Sequence, residues 1–252
     1  MVFFPPQFQL LRTSTPGQTP SSPRPTPSGT RNGNPKISRV ALLITNRNFA
    51  NERLTRKGAE KDEENMEKLL RSLGYEVVKH NDLTAQHPKL RDTDSVFVVI
   101  MSHGKREFVL GVNHSEENKD EFPVDNIYRH LGPQECPALM NKPKIIIIQA
   151  CRGGGKIVDD AIRYVHKEKD FISLLSSTPD TVSYRREDLG SFLIQYIAEV
   201  FNTCSHEDDI DELFRKVRSE HVQTRFPDNT KRQMPTKDRC TLTKRFYLFP
   251  GH

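Results

Sequence analysis

A chain of 252 residues, of which 35% are hydrophobic, is long enough to bury the core of one large domain. Its four cysteines include no CxxC pair, so the sequence suggests neither a zinc site nor a disulfide framework, and reduced thiols are typical of the cytoplasm. No apolar run approaches the ~18 residues of a membrane span, which argues against a membrane partner. We therefore expect a cytoplasmic domain without a metal or other cofactor.

The net charge of +5 belongs mainly to the first 36 residues. They contain four basic residues and no acidic one, which leaves only about +1 (5 − 4) for the rest of the chain. Nothing after residue 36 forms a basic stripe interleaved with aromatic residues, so we expect no nucleic-acid partner. Residues 1–36 also hold eight of the 17 prolines, and we predict a disordered proline-rich leader before a domain over residues 37–252. A ligand for a proline-binding groove is the alternative role for this leader.

Strand-like and helical patterns alternate after residue 36. The predicted strands are residues 40–44, 75–79, 96–101, 144–148, 171–175 and 240–248, and the predicted helices are residues 59–73, 189–203 and 205–222. Gly74 ends the first helix, and Ser205 with Asp208 has the residue types of a helix cap. Because the strands are almost continuously apolar, we predict an α/β fold with a mostly parallel sheet flanked by helices on both faces.

Two of the buried strands are followed directly by residues that can carry chemistry. Strand 96–101 runs into Ser102-His103-Gly104, and strand 144–148 runs into Gln149-Ala150-Cys151-Arg152-Gly153. Neighbouring parallel strands bring their carboxyl ends to the same edge of a sheet, so the thiol and the imidazole can meet there. A single cysteine or histidine at a strand end is more often structural, but the two motifs together indicate a site.

The residue types fit nucleophilic catalysis by a cysteine. The imidazole of His103 can accept the proton of the Cys151 thiol and later protonate a leaving amine, and such proton transfer contributes roughly 10²–10⁴-fold. Gly104 has no side chain, so its backbone N–H can lie near a reacting carbonyl and form an oxyanion hole with the N–H of Cys151. These three residues are the candidate catalytic set.

The two motifs resemble those of the caspase family of cysteine proteases, and the resemblance extends from Ile37 to the end of the chain. Further matching segments are Arg56-Lys57-Gly58-Ala59, Lys169-Asp170-Phe171-Ile172, Ser176-Ser177-Thr178-Pro179-Asp180, Gln233-Met234-Pro235 and Phe246-Tyr247-Leu248-Phe249-Pro250-Gly251-His252. The last two are most similar to the inflammatory, interleukin-converting branch. The resemblance implies a caspase-like fold and a homodimer formed through the C-terminal half.

The resemblance also implies which residues recognise the substrate. Arg56, Gln149 and Arg185 match the residues that bind an aspartate side chain in inflammatory caspases. A planar guanidinium binds a carboxylate through two hydrogen bonds, so the assignment is chemically reasonable. Without the surrounding motif, Arg56 would be interpreted as an ordinary solvated charge.

A second group of residues matches the segment that pairs with an extended substrate. It comprises Val182, Ser183 and Tyr184, with Ser183 expected to offer backbone hydrogen bonds. Tyr184 would shape the pocket for the fourth residue upstream of the cut, and Arg186 with Lys231 would line its rim. We expect an apolar or aromatic preference in that pocket.

The implied function is an endopeptidase that cleaves proteins after aspartate, with cytokine precursors or pore-forming proteins as substrates and inflammasome components as partners. The domain would divide into a large-subunit part, residues 37–158, and a small-subunit part, residues 161–252. Asp159 and Asp160 are candidate processing sites in the linker between them. This linker is shorter than is usual in the family, so we expect slow processing and activation mainly by dimerisation.

A catalytically silent protein of the same fold is the alternative function. Such a protein would dimerise with active caspases and dampen them. The shortened linker favours it, as do a helix missing between Leu83 and Asp92 and the lack of a death-fold recruitment domain before Ile37. Against it, all the chemical residues are present, including Cys151 and Arg56.

Overall fold

The computed structural model describes residues 38–83, 93–153, 169–178, 183–223 and 233–248. Its strands, in chain order, are β1 (Arg39–Thr45), β2 (Glu76–Asn81), β3 (Ser95–Met101), β4 (Gly104–Lys105), β5 (Phe108–Leu110), β6 (Glu121–Pro123), β7 (Lys144–Gln149), β8 (Phe171–Leu175), β9 (Arg185–Arg186), β10 (Gly190–Ser191) and β11 (Thr236–Asp238). Its helices are α1 (Ala59–Ser72), α2 (Asp125–Leu131), α3 (Phe192–Cys204) and α4 (Ile210–Gln223), with short 3₁₀ turns at Glu52–Leu54 and Pro137–Leu139. No helix in the described ranges is long and apolar enough to cross a membrane.

Six strands form the central sheet, in the order β11-β8-β7-β3-β1-β2. All neighbours are parallel except β11, which pairs antiparallel with β8. The two central strands, β3 and β7, are buried along their whole length, which explains the continuous apolar runs 96–101 and 145–148 within them. This sheet confirms the predicted fold class.

Two hydrophobic layers cover the sheet, one on each face. Alternate residues of β3 divide between them: Phe97, Val99 and Met101 pack with α1, α3 and α4, whereas Val96, Val98 and Ile100 pack with α2. The predicted placement of helices on both faces is therefore correct. Because the helices cover both faces of the sheet, polar side chains can reach solvent at the edge formed by the carboxyl ends of the parallel strands.

Three sequence predictions of element bounds were wrong. Helix α3 begins at Phe192 and not at residue 189, because Gly190–Ser191 forms β10. Helix α4 is capped by Asp209 and not by Ser205: its Oδ1 accepts the N–H groups of Asp211 and Glu212, both at 3.0 Å. The last strand is Thr236–Asp238 and not residues 240–248, because Arg239 has a left-handed φ of 43° that interrupts the extended backbone; beyond it Thr241 still exchanges backbone hydrogen bonds with Asp170 and Phe171 at 3.1 and 2.8 Å.

Candidate active site

The central strands deliver the two predicted catalytic side chains to one edge of the sheet. Met101, the last residue of β3, pairs with Gln149, the last residue of β7, and the N–H of Ser102 donates to the Gln149 carbonyl at 3.1 Å. A pocket of about 270 Å³ opens beyond these ends. It is lined by Arg56, Ser102, His103, Gln149, Ala150, Cys151, Ser183, Tyr184 and Arg185. The structure thus brings together seven of the residues that the sequence singled out.

Some sequence-predicted residues cannot be placed. Val182, the processing candidates Asp159 and Asp160, and Lys231 lie outside the described residues. The leader and the segment with the missing helix also lie outside them. Among the residues that the structure does describe, no three His, Cys, Asp or Glu side chains are grouped as a metal ion would require.

His103 is held by a backbone carbonyl that the sequence did not point to. Its Nε2 lies 2.7 Å from the carbonyl oxygen of Leu54, and its ring lies 5.1 Å from the ring of Phe49 between centroids. A carbonyl oxygen can only accept, so Nε2 carries the proton and Nδ1 is left as an acceptor. Burial, together with the charges of Arg56 and Arg185, lowers the pKa of His103 below its ordinary 6.5. The resting imidazole is therefore neutral at neutral pH.

Gly104 occupies a position where a side chain has no room. A Cβ there would lie 2.7 Å from the carbonyl oxygen of Cys151 and 2.9 Å from the Cβ of Ala150. The two segments that carry the predicted oxyanion donors are therefore in direct backbone contact.

Replacing Gly104 by alanine should lower kcat by about 10²-fold. The added methyl group would displace the backbone N–H groups of the oxyanion hole, and a shift of about 1 Å in such groups lowers the rate by this order. The measurement is turnover of an aspartyl peptide reporter. Gly74→Ala is the control: no atom lies within 4 Å of its Cβ position, although its φ of +80° makes the substitution destabilising. Unchanged kcat in a folded Gly104→Ala variant would contradict the prediction.

Arg56 is buried and incompletely paired. Only 1% of its surface is exposed, and Nη1 donates to the carbonyls of Asn46 at 2.9 Å and Met101 at 3.0 Å. Nε and Nη2 have no hydrogen-bond partner among the described residues, and neither has Oε1 of the buried Gln149. Burial first, and then the charge of Arg185, lower the pKa of Arg56 to about 9, so it stays charged at neutral pH.

Arg185 reaches the same pocket from the other side. It lies on β9, and its Nε donates to the carbonyl of Lys57 at 2.8 Å. Burial is the main cause that lowers its pKa, and the charge of Asp62 opposes this most strongly. Arg186, expected at the rim of the upstream pocket, donates from Nε and Nη2 to the two carboxylate oxygens of Asp188 at 3.0 and 2.8 Å, and its role at the rim stays a prediction.

The segment before Arg185 is tied to the end of β7 and to a distant glutamine. The N–H of Ser183 lies 3.5 Å from the Sγ of Cys151, and its hydroxyl lies 2.6 Å from that of Ser176. The N–H of Tyr184 donates to Gln233 Oε1 at 2.8 Å, and Gln233 Nε2 donates to the Ser176 carbonyl at 2.7 Å. In this structure the Ser183 backbone therefore faces the thiol that we expect to attack the substrate.

Comparison with known proteins gives the family. A model of the caspase domain matches residues 38–247. The chain belongs to the caspase family. It is 51% identical over 239 residues to caspase a of Danio rerio, a match that covers 84% of this chain and 62% of that protein. It is 43% identical over 249 residues to caspase-1 of Equus caballus, with 85% and 60% covered.

A solved caspase structure shares the fold. Caspase-1 from Spodoptera frugiperda superposes with a TM-score of 0.71 at 22% identity, covering 86% of this chain and 92% of that one. The family and fold suggested by the two sequence motifs are thus confirmed. The chain spans about 60% of the length of the curated caspases that it matches.

Two groups that shape the site were not predicted from the sequence. One is the Leu54 carbonyl, which carries no side-chain signal and could not have been found. The other is Asp62, which is fully buried and binds Ser191 of β10. A signal for Asp62 existed, because it stands four residues before Met66 and therefore on the apolar face of α1.

Proposed function

We propose that this chain is a cysteine endopeptidase that cleaves proteins after aspartate. The observation that carries the proposal is the buried Arg56, which lines the same pocket as Cys151 and His103 and has two unpartnered donors among the described residues. A buried charge without full pairing is costly, so such a group is suited to receive an anion.

A carboxylate is the anion that best fits this pocket. Arg56 and Arg185 bring two positive charges to it, and a guanidinium binds a carboxylate with two parallel hydrogen bonds. Gln149 contributes an amide. An aspartate side chain next to the scissile bond would neutralise the pocket, whereas a neutral side chain would leave buried donors unpaired.

The reaction would proceed through a thioester. Nδ1 of His103 takes the proton of Cys151, and the sulfur attacks the backbone carbonyl carbon of the substrate aspartate. The oxyanion is held by the N–H groups of Gly104 and Cys151, and the C–N bond breaks as His103 returns the proton to the amine. Water, deprotonated by His103, then attacks the thioester and releases the acid and the thiol.

The pH dependence follows from the lowered pKa of His103. Only the neutral imidazole can accept the thiol proton, so kcat/KM should fall as the pH decreases through this pKa, and the midpoint should lie below 6.5. An NMR titration of His103 in the Cys151→Ala variant measures the pKa without turnover. A midpoint at or above 6.5 would show that burial and the two arginines do not lower the pKa of His103.

We further propose an inflammatory role, with a homodimer as the active form in the cytoplasm and cytokine precursors or pore-forming proteins as substrates. Its support is the resemblance of Gln233-Met234-Pro235 and residues 246–252 to the inflammatory branch. The division into residues 37–158 and 161–252 stays a prediction, as does processing at Asp159 or Asp160.

The test is turnover of matched aspartyl and asparaginyl peptide reporters under reducing conditions. The purified chain should be assayed over a range of concentrations, with its oligomeric state followed by sedimentation. We expect cleavage of the aspartyl peptide alone, increasing with dimerisation. A dimer without any turnover that lowers the activity of an added caspase would support the silent alternative.

A further inference from the structure

The segment that carries Tyr184 and Arg185 is hydrogen-bonded to helix α1 through its C-terminal residue, Ser191. We call residues 183–191 the recognition segment; it includes the β9–β10 hairpin. The N–H of Ser191 donates to Asp62 Oδ1, and its hydroxyl donates to Asp62 Oδ2, both at 2.6 Å. Both carboxylate oxygens thus bind one residue of the segment.

The contact between segment and helix is close enough to require glycine on both sides. A Cβ on Gly190 would lie 2.3 Å from Asp62 Oδ1, and the φ of this residue is +84°. A Cβ on Gly58, directly before α1, would lie 2.4 Å from the carbonyl oxygen of Arg186. The segment therefore lies against the start of α1 through its backbone, in one defined position.

Asp62 is an unusual residue for this position. It is completely buried on the apolar face of α1, and burial alone raises its pKa. The two hydrogen bonds from Ser191 and the charges of Arg56 and Arg185 offset only part of this rise, so the pKa of Asp62 stays above its ordinary value. A carboxylate is costly to bury, so its retention here calls for a specific interaction, and Ser191 supplies it.

We propose that Asp62 is a positioning residue for substrate recognition: by binding both donors of Ser191 it holds the recognition segment, and with it Arg185, against the helix that follows Arg56. The two arginines then converge on one carboxylate without further ordering when substrate binds. The kinetic part of this inference rests on the proposed function, but the structural part does not.

Limited trypsin digestion tests the structural part, because trypsin cuts after arginine and the segment contains Arg185 and Arg186. The digestion uses the 252-residue chain carrying Cys151→Ala, so that its own activity cannot contribute. In Ser191→Ala, cleavage at these two sites should be about tenfold faster, since loss of a buried hydrogen bond raises the open population by about that factor. Fragment masses at early times identify the sites.

Ser95→Ala is the matched control. Ser95 is equally buried and its hydroxyl is hydrogen-bonded to that of Tyr75 at 3.0 Å, but it stands at the start of β3, away from the site. Its cleavage rate at Arg185 and Arg186 should equal that of the parent. Asp62→Asn keeps the shape but weakens both hydrogen bonds, so an increase of about threefold is expected. Equal rates in Ser191→Ala and Ser95→Ala would overturn the proposal.

The kinetic arm uses the same substitutions with Cys151 intact. Ser191→Ala should raise KM for the aspartyl reporter about tenfold with little change in kcat, and Ser95→Ala should change neither. If the parent chain shows no turnover, the proposed function fails, and digestion alone decides the position of the segment. If Ser191→Ala does not fold, a parental digestion rate in Asp62→Asn overturns the proposal.

Discussion

Replacing Cys151 by alanine should abolish cleavage of an aspartyl peptide. The thiol is the group that attacks the peptide bond in the proposed mechanism, and removal of a catalytic nucleophile costs about 10⁶-fold in kcat. The variant should fold normally, since the side chain is only half-buried and its loss leaves no polar group deep in the core. Turnover is measured with the reporter, and folding by thermal unfolding.

Cys240 and Cys136 provide the controls for this prediction. Cys240→Ala removes an exposed thiol, and Cys136→Ala a half-buried one whose pKa is raised by burial. Both variants should retain parental turnover. Mild alkylation with iodoacetamide, followed by peptide mapping, should show that activity is lost in parallel with modification of Cys151. Residual activity after complete modification of this residue would mean that another group is the nucleophile.

Replacing Arg56 by alanine should give the second-largest effect. The substitution removes one partner of the charge pair expected with substrate aspartate, which costs about 2–5 kcal/mol, or some 30- to several-thousand-fold in kcat/KM. It also removes the guanidinium donor from the buried Asn46 and Met101 carbonyls, of which Met101 keeps the N–H of Asn46 at 2.9 Å, so we expect the free energy of unfolding to fall by about 1–3 kcal/mol. Kinetics and denaturant unfolding should be measured on the same preparation.

Two further variants separate charge, geometry and stability. Arg53→Ala removes an exposed arginine three residues away and should leave kcat/KM unchanged. Arg56→Lys keeps the charge but loses the planar fork, so much of the activity should remain lost. If Arg56→Ala prefers the aspartyl over the asparaginyl reporter as strongly as the parent chain does, Arg56 does not determine the specificity and the proposal fails.

The buried strands and the two catalytic motifs were predictable because their signals are local. Residues 96–101 and 145–148 are apolar throughout, as expected of strands covered on both faces, and they lie within β3 and β7 of the structure. The motifs follow these strands directly, so their meeting at one edge follows from parallel pairing. The edge strand β11 was missed, because Thr236–Asp238 is short and half-exposed and lacks an apolar pattern.

The sequence by itself thus determined the family, the parallel strands of the sheet and the positions of Cys151 and His103, since each depends on a pattern within a few neighbouring residues. Only the tertiary structure decided that Arg56 is buried with unpaired donors, that Leu54 orients the imidazole, and that Asp62 binds Ser191. Those contacts join residues separated by 45 positions between Arg56 and Met101, 49 between Leu54 and His103, and 129 between Asp62 and Ser191. No local pattern encodes such pairings, because they exist only once the helix and the hairpin have packed beside the sheet.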